Sequence, residues 1–268
     1  MLTASVVIAL WLGAIAQPSH LQPKSPIAGP ALAAHLEKSP SILTRSPDSA
    51  TIRAGTRMAE LLNPVDQIVA TELRGFDEQI VPAFRGQKDY AALEARYPGV
   101  IDAIARAVRP AMERNVRASL PRSRAIMGVF FAERFALAEL VELSTFYGSP
   151  TGQKIIRAMF ANASMGGIVS EVVADPKAQT SLTAVDEIFR SSLNALPGVL
   201  EKSDQEALVA LSRNPAFARL KAVGSDMRKL QQQMINKPDP EFEAELDRVL
   251  AQAVEAYVAA ADAGSASR

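Results

Sequence analysis

The chain has 268 residues, 48% of them hydrophobic and 22% charged, and 29 basic side chains balance 29 acidic ones. That is enough apolar material for one sizeable core or two small ones, and neutral balance excludes a global pull towards nucleic acid or anionic membrane. Cysteine is absent, which removes disulfides, thiolate nucleophiles and thiolate metal sites together.

The chain opens MLTASVVIALWLGAIA, with an apolar run over Val6–Leu12 followed by Ala14-Ile15-Ala16. Small-x-small after a short apolar run fits a signal peptidase pocket, so a signal peptide over residues 1–16, cleaved after Ala16, is expected. The run falls short of the roughly 20 apolar residues that span a bilayer, so no transmembrane span is expected in the mature form. No Lys or Arg precedes it; the export signal is minimal, or the reading frame starts further upstream. The competing reading is a buried N-terminal helix. With no cysteine after the run, lipoprotein processing is excluded.

Residues 17–50 form the next compositional block. Pro18, Pro23, Pro26, Pro30, Pro40 and Pro47 lie among Ser, Ala and Gln with no aromatic residue. Proline at that density blocks helices, and too little apolar area remains to offset ordering entropy. A disordered tether is expected, with one helical turn near Ala31–Lys38. Both histidines, His20 and His35, fall inside it.

From residue 51 to 262 the pattern is helical, and 263–268 reads as a frayed tail. A first helix is predicted over Ile52–Leu62. Asn63-Pro64-Val65-Asp66 then restarts the chain, with Asn63 as cap and Pro64 at the first helical position. Val69, Leu73, Phe76, Ile80 and Phe84 make one amphipathic stripe. Ile101, Ile104, Val108, Met112, Val116 and Leu120 make another, running through Pro110 towards an end or bend at Pro121. Six of the ten Phe and four Tyr residues lie between Phe130 and Phe160, which predicts the centre of the core there. Met165-Gly166-Gly167 reads as the end of one helix and the start of another. Further helices are predicted over Thr183–Leu196, Ser203–Arg213 (opened by a Ser203-x-x-Glu206 capping box), Pro215–Ile235 and Pro240–Ala261. No alternating β pattern of useful length occurs. The expectation is an all-α bundle of about seven to nine amphipathic helices with proline-broken hairpins.

One internal echo stands out. Glu139-Leu-Val-Glu-Leu-Ser144 precedes Ser149-Pro150 and Lys154-Ile155, while Ala207-Leu-Val-Ala-Leu-Ser212 precedes Asn214-Pro215 and Arg219-Leu220. A duplicated helical hairpin and a chance match in an Ala/Leu-rich chain both account for it.

Residues Phe135–Ala163 read FALAELVELSTFYGSPTGQKIIRAMFANA. The segment Glu139–Lys154 within it resembles the signature of a largely proteobacterial envelope family, domain of unknown function 2059 (DUF2059). A looser helical likeness extends over about residues 58–175, and residues 180–262 lie beyond it. The resemblance implies a helical fold and an exported, periplasmic or envelope-associated location; it implies no reaction, substrate or cofactor. Read physically, Leu140, Leu143, Phe146 and Tyr147 share one helix side, Ser149 caps the next helix, Pro150 supplies its first position, and Gly152 permits close helix approach. A tight helix–helix corner is one reading. The other is a small anion site formed by Tyr147, Ser149 and Lys154 at a helix N-terminus.

Nucleophilic catalysis of the Ser-His-Asp kind and zinc hydrolysis both need histidines in the folded part, and none is there. The acid clusters Glu139/Glu142 and Glu241/Glu243/Glu245 read as solvated helix faces rather than a catalytic pair. Met165-Gly166-Gly167 lacks the lysine and preceding strand of a phosphate loop. The strongest surface feature is basic: Arg106, Arg109, Arg114, Arg117, Arg122 and Arg124 share a stretch whose only acid is Glu113. The first four form either a cationic ridge for an anionic envelope surface or a face neutralised by acids of neighbouring helices. No cofactor, metal or nucleic acid is expected. The preferred function is a non-enzymatic interaction module for an envelope protein or surface, followed by a small-ligand or anion binder at the Ser149-Pro150 turn, and then by a carboxylate-based hydrolase.

Overall fold

The computed structural model describes residues 46–175, 179–194 and 196–266. The expected signal peptide, almost all of the expected tether and both histidines lie outside the described residues. Within them regular structure is helical throughout, with no strand.

The first helix, α1 (Ser49–Leu62), starts where Asp48 Oδ1 accepts the Thr51 N–H at 2.8 Å, a side-chain cap that satisfies one orphan donor. Val65–Gly75 (α2) continues through a π-helical turn at Phe76–Ile80 into α3 (Val81–Gly86). The wide turn falls just before Pro82, which has no N–H to return to an α-helical ladder, and it keeps Val69, Leu73, Phe76 and Ile80 all buried. The sequence cast Asn63 as the cap of this helix, but Pro64 holds that position. Asn63 instead donates from Nδ2 to the Ala59 carbonyl at 2.8 Å, turning back on α1.

Helix α4 (Lys88–Arg96) buries no residue. At its end Gly99, with φ of 93°, turns the chain into α5 (Val100–Arg134), a 35-residue helix that runs through both Pro110 and Pro121. The predicted stop or bend at Pro121 therefore does not end it. Glu94 closes the entry by accepting the N–H groups of Gly99 at 2.6 Å and Ile101 at 3.0 Å. Those backbone donors, Ile101 first, hold the Glu94 carboxyl below its ordinary value.

Two hairpins and their connections complete the chain. They are α6 (Leu137–Gly148) with α7 (Pro150–Asn162), then α8 (Gly166–Ala174) and α9 (Leu182–Asn194), then α10 (Lys202–Ser212) with α11 (Pro215–Ala222), followed by α12 (Gly224–Ile235) and α13 (Pro240–Ala266). Thirteen α segments result among the described residues. Because α2 and α3 are continuous and α11 meets α12 at Val223 alone, they amount to eleven rods, more than the seven to nine expected. Short helices such as α4 account for the excess, since a helix that buries nothing leaves no apolar stripe to read. No helix among the described residues is long and apolar enough to cross a membrane.

The core is continuous from α1 to α12, and its largest fully enclosed side chains include Tyr147, Phe131 and Phe160, so the aromatic centre lies where the sequence put it. Helix α1 crosses α5 at a glycine pair: a Cβ on Gly128 would come within 2.9 Å of the Thr56 backbone. This contact seats α1 against both α5 and α6 and so fixes the orientation of the α6–α7 corner. Helix α13 lies along α5, fastened by Glu245 on Arg114 (2.7 Å) and by the Tyr257 hydroxyl donating to the Pro98 carbonyl (2.5 Å).

Candidate functional site

The α6–α7 corner is built from its own backbone. Ser149 Oγ accepts the Gly152 N–H at 3.1 Å and donates to the Phe146 carbonyl at 2.6 Å, while Gln153 Nε2 donates to the Tyr147 carbonyl at 2.6 Å. The cap-and-proline logic read from the sequence is present, with Pro150 in the first turn of α7. Gly152 is required here for space, because a Cβ would lie 2.6 Å from Tyr147 Cα.

The three residues cast as an anion site go to different places. Tyr147 is 0% exposed, its hydroxyl has no hydrogen-bond partner among the described residues, and burial drives its pKa well above the ordinary phenol value. Ser149 is engaged in capping. Lys154 Nζ donates to Asp204 Oδ2 at 2.7 Å and to Glu201 Oε1 at 2.9 Å. Asp204 also accepts the Thr151 hydroxyl at 2.7 Å and the Glu201 N–H at 3.1 Å. The negative charge that meets the first turn of α7 is thus the chain's own Asp204. Lys154, then Thr151, hold its carboxyl below the usual value, and Asp204 in turn raises Lys154. The expected box at Ser203/Glu206 is displaced to Glu201/Asp204, where Asp204 is the acid that reaches back.

The candidate acid pair is likewise structural. Glu139 accepts the Ala136 N–H at 2.8 Å and pairs with Arg219 Nε at 3.3 Å. Glu142 accepts Asn214 Nδ2 at 3.0 Å. Along the basic ridge, Arg109 pairs with Asp77, Arg114 with Glu245, and Arg117 with Glu113 (3.0 Å) and Asp66 (3.4 Å). These acids come from α2, the π turn, α5 itself and α13. Among the described residues Arg106 and Arg122 are exposed with no acid at ion-pair distance. Arg124 turns inward and gives two hydrogen bonds to the Asn63 carbonyl; desolvation lowers its pKa.

A feature the sequence reading missed is an open cleft of about 300 Å³ at the α5–α6 corner, lined by residues that include Asp48, Glu133, Arg134, Phe135, Leu137 and Arg219. Arg134 lies 3.9 Å over the Phe130 ring, and Arg219 Nη1 reaches the Arg134 carbonyl at 3.4 Å. Leu137, 42% exposed, and Val141, 54% exposed, follow one another by a turn of α6 beside it. The lining comes from three distant parts of the chain, so spacing alone cannot reveal it; the sole local signal was two apolar residues on the flank of the α6 face that carries Leu140 and Leu143.

Comparison with known proteins bears on this same region. Residues 127–172 match the family described as "Uncharacterized protein conserved in bacteria (DUF2059)", a span that takes in the end of α5, the whole α6–α7 corner and most of α8. No curated protein and no solved structure matches the chain. Through this segment, with Ser149-Pro150 at its corner, the chain is similar to the DUF2059 family.

Proposed function

We propose that the protein is an exported, non-enzymatic helical module that docks a protein partner of the cell envelope through the α5–α6 corner. The observation that carries the reading is the exposed pair Leu137 and Val141, set beside an open cleft and inside the span matched by the family. Apolar side chains presented together next to a polar-lined cleft favour contact with another protein, since covering them removes apolar area from water. Glu94 caps α5, and Lys154 and Asp204 tie α7 to α10, so these charged groups serve the fold. Export follows from the apolar run before Ala14-Ile15-Ala16. N-terminal sequencing of the mature protein is expected to begin at Gln17, and an intact Met1 would overturn export.

Docking is tested by placing a photo-activatable residue at Val141 in living cells, with Glu206 on exposed α10 as the control position. Discrete adducts at Val141 and none at Glu206 are expected. Equal labelling at both positions would sink the reading. An anion site at the Ser149 turn has less support, because Asp204 already meets that helix terminus. A carboxylate hydrolase has less still, since Glu139 is held by Arg219 of α11 and Glu142 by Asn214, the residue before that helix.

A further inference from the structure

The two proline hairpins meet by exchanging ion pairs. Lys154 of α7 pairs with Asp204 of α10, and Arg219 of α11 pairs with Glu139 of α6. Aligning Ser149 with Asn214 places Pro150 on Pro215, Lys154 on Arg219 and Glu139 on Asp204 without a gap. The same register holds in the local chemistry. Glu139 accepts the N–H of Ala136, the residue before α6, and Asp204 accepts the N–H of Glu201, the residue before α10. Ser149 and Asn214 each cap the second helix of their hairpin through a side-chain oxygen. Phe146 falls on Leu211 and Ile155 on Leu220, apolar residues turned towards the core in both hairpins. The similar strings Glu139–Ser144 and Ala207–Ser212, taken as equivalent on sequence, lie nearly one turn out of this register.

Contacts in which residue i of one unit meets residue j of the other, and j meets i, are the mark of an isologous interface. The α10–α11 hairpin lies outside the span matched by the family, yet it meets α6–α7 in this reciprocal way. We infer that the α6–α7 face carrying Glu139 and Lys154 is a self-recognition surface whose fitting partner is another hairpin of the same build. Inside the chain α10–α11 is that partner; once it is released, the α6–α7 face of a second copy takes its place. The charges suit this outcome: a second copy offers Glu139 to Lys154 and Lys154 to Glu139. Release must free α11 as well as α10: α10 buries only Asp204 and Leu211, whereas α11 buries Ala216, Phe217 and Leu220.

The test uses the full-length chain carrying Asp204→Lys and Arg219→Glu, which sets like charges against Lys154 and Glu139. Sedimentation of this variant is expected to show a doubling of mass with rising concentration, and adding Lys154→Glu is expected to restore the wild-type mass. Because the chain has no cysteine, single Glu139→Cys and Lys154→Cys copies can be mixed in the released background. A disulfide between the two kinds of copy, in excess over like-with-like products, is expected. A folded variant that keeps the wild-type mass and gives no such excess would overturn the inference. Should charge reversal unfold the chain, the neutral pair Asp204→Asn and Arg219→Gln decides by the same two readings.

Discussion

Lys154 Nζ lies 2.7 Å from Asp204 Oδ2, and the Asp204 side chain is only 8% exposed. One ion pair thus joins the hairpin inside the matched span to a helix outside it, while Thr151 and the Glu201 N–H take up the rest of the carboxylate. A charge enclosed to that degree is stable only when paired and hydrogen-bonded. The pair therefore behaves as architecture, and it gives the fold a defined response to pH.

Asp204 has a depressed folded pKa. Its contribution is complete above the unfolded carboxylate value of about 4 and is lost as pH falls through the lower folded value. Lys154 is raised, so its contribution is complete below the unfolded value of about 10 and is lost as pH rises through the higher folded one. Unfolding free energy measured against pH should therefore fall at both extremes. Asp204→Asn should flatten the acid limb relative to wild type, and an unchanged acid limb would contradict the assignment.

Gly152 and Gly86 make a contrasting pair. A Cβ at Gly152 meets the backbone of Tyr147, whereas one at Gly86 meets nothing within 4 Å among the described residues. Gly152→Ala should cost about 1–3 kcal/mol through forced separation of α6 and α7. Gly86→Ala should be neutral or stabilising by up to about 1 kcal/mol, because it restricts the unfolded chain. Urea unfolding of both variants checks the difference, and equal midpoints would refute the close-approach argument.

Tyr147 carries a fully enclosed hydroxyl with no partner among the described residues. Burying such a group costs about 1–3 kcal/mol, so Tyr147→Phe, which keeps the ring, should leave stability unchanged or raise it by about 1 kcal/mol. Thermal unfolding provides the measurement. A clear loss of stability would mean that the hydroxyl is bonded in solution.

Residues whose partners lie close in sequence were legible in advance. Ser149 capping α7, Pro150 in its first turn, Gly152 at the contact and the aromatic centre around Phe131, Tyr147 and Phe160 all follow from local chemistry and periodicity. The α5 stripe was legible through Pro110, but not the helix's continuation past Pro121, since proline marks a break and tertiary packing overrides it. The partners of Lys154, Glu139, Arg109 and Arg114 were out of reach, because each is an acid or a base from a helix distant in the chain. Asn63 misled for a physical reason: a side-chain amide before Pro64 fits a cap, yet here it bonds back to Ala59. The cleft beside Leu137 shared the fate of the ion pairs, being assembled from α1, the α5–α6 corner and α11.

The most direct test of docking at the α5–α6 corner is Val141→Glu, read by in-cell photo-crosslinking from a probe at neighbouring Ala138. Val141 is 54% exposed, so its substitution should shift stability by no more than about 0.5 kcal/mol. The account predicts that partner capture is lost while the melting temperature holds. Undiminished capture by the folded variant would contradict it.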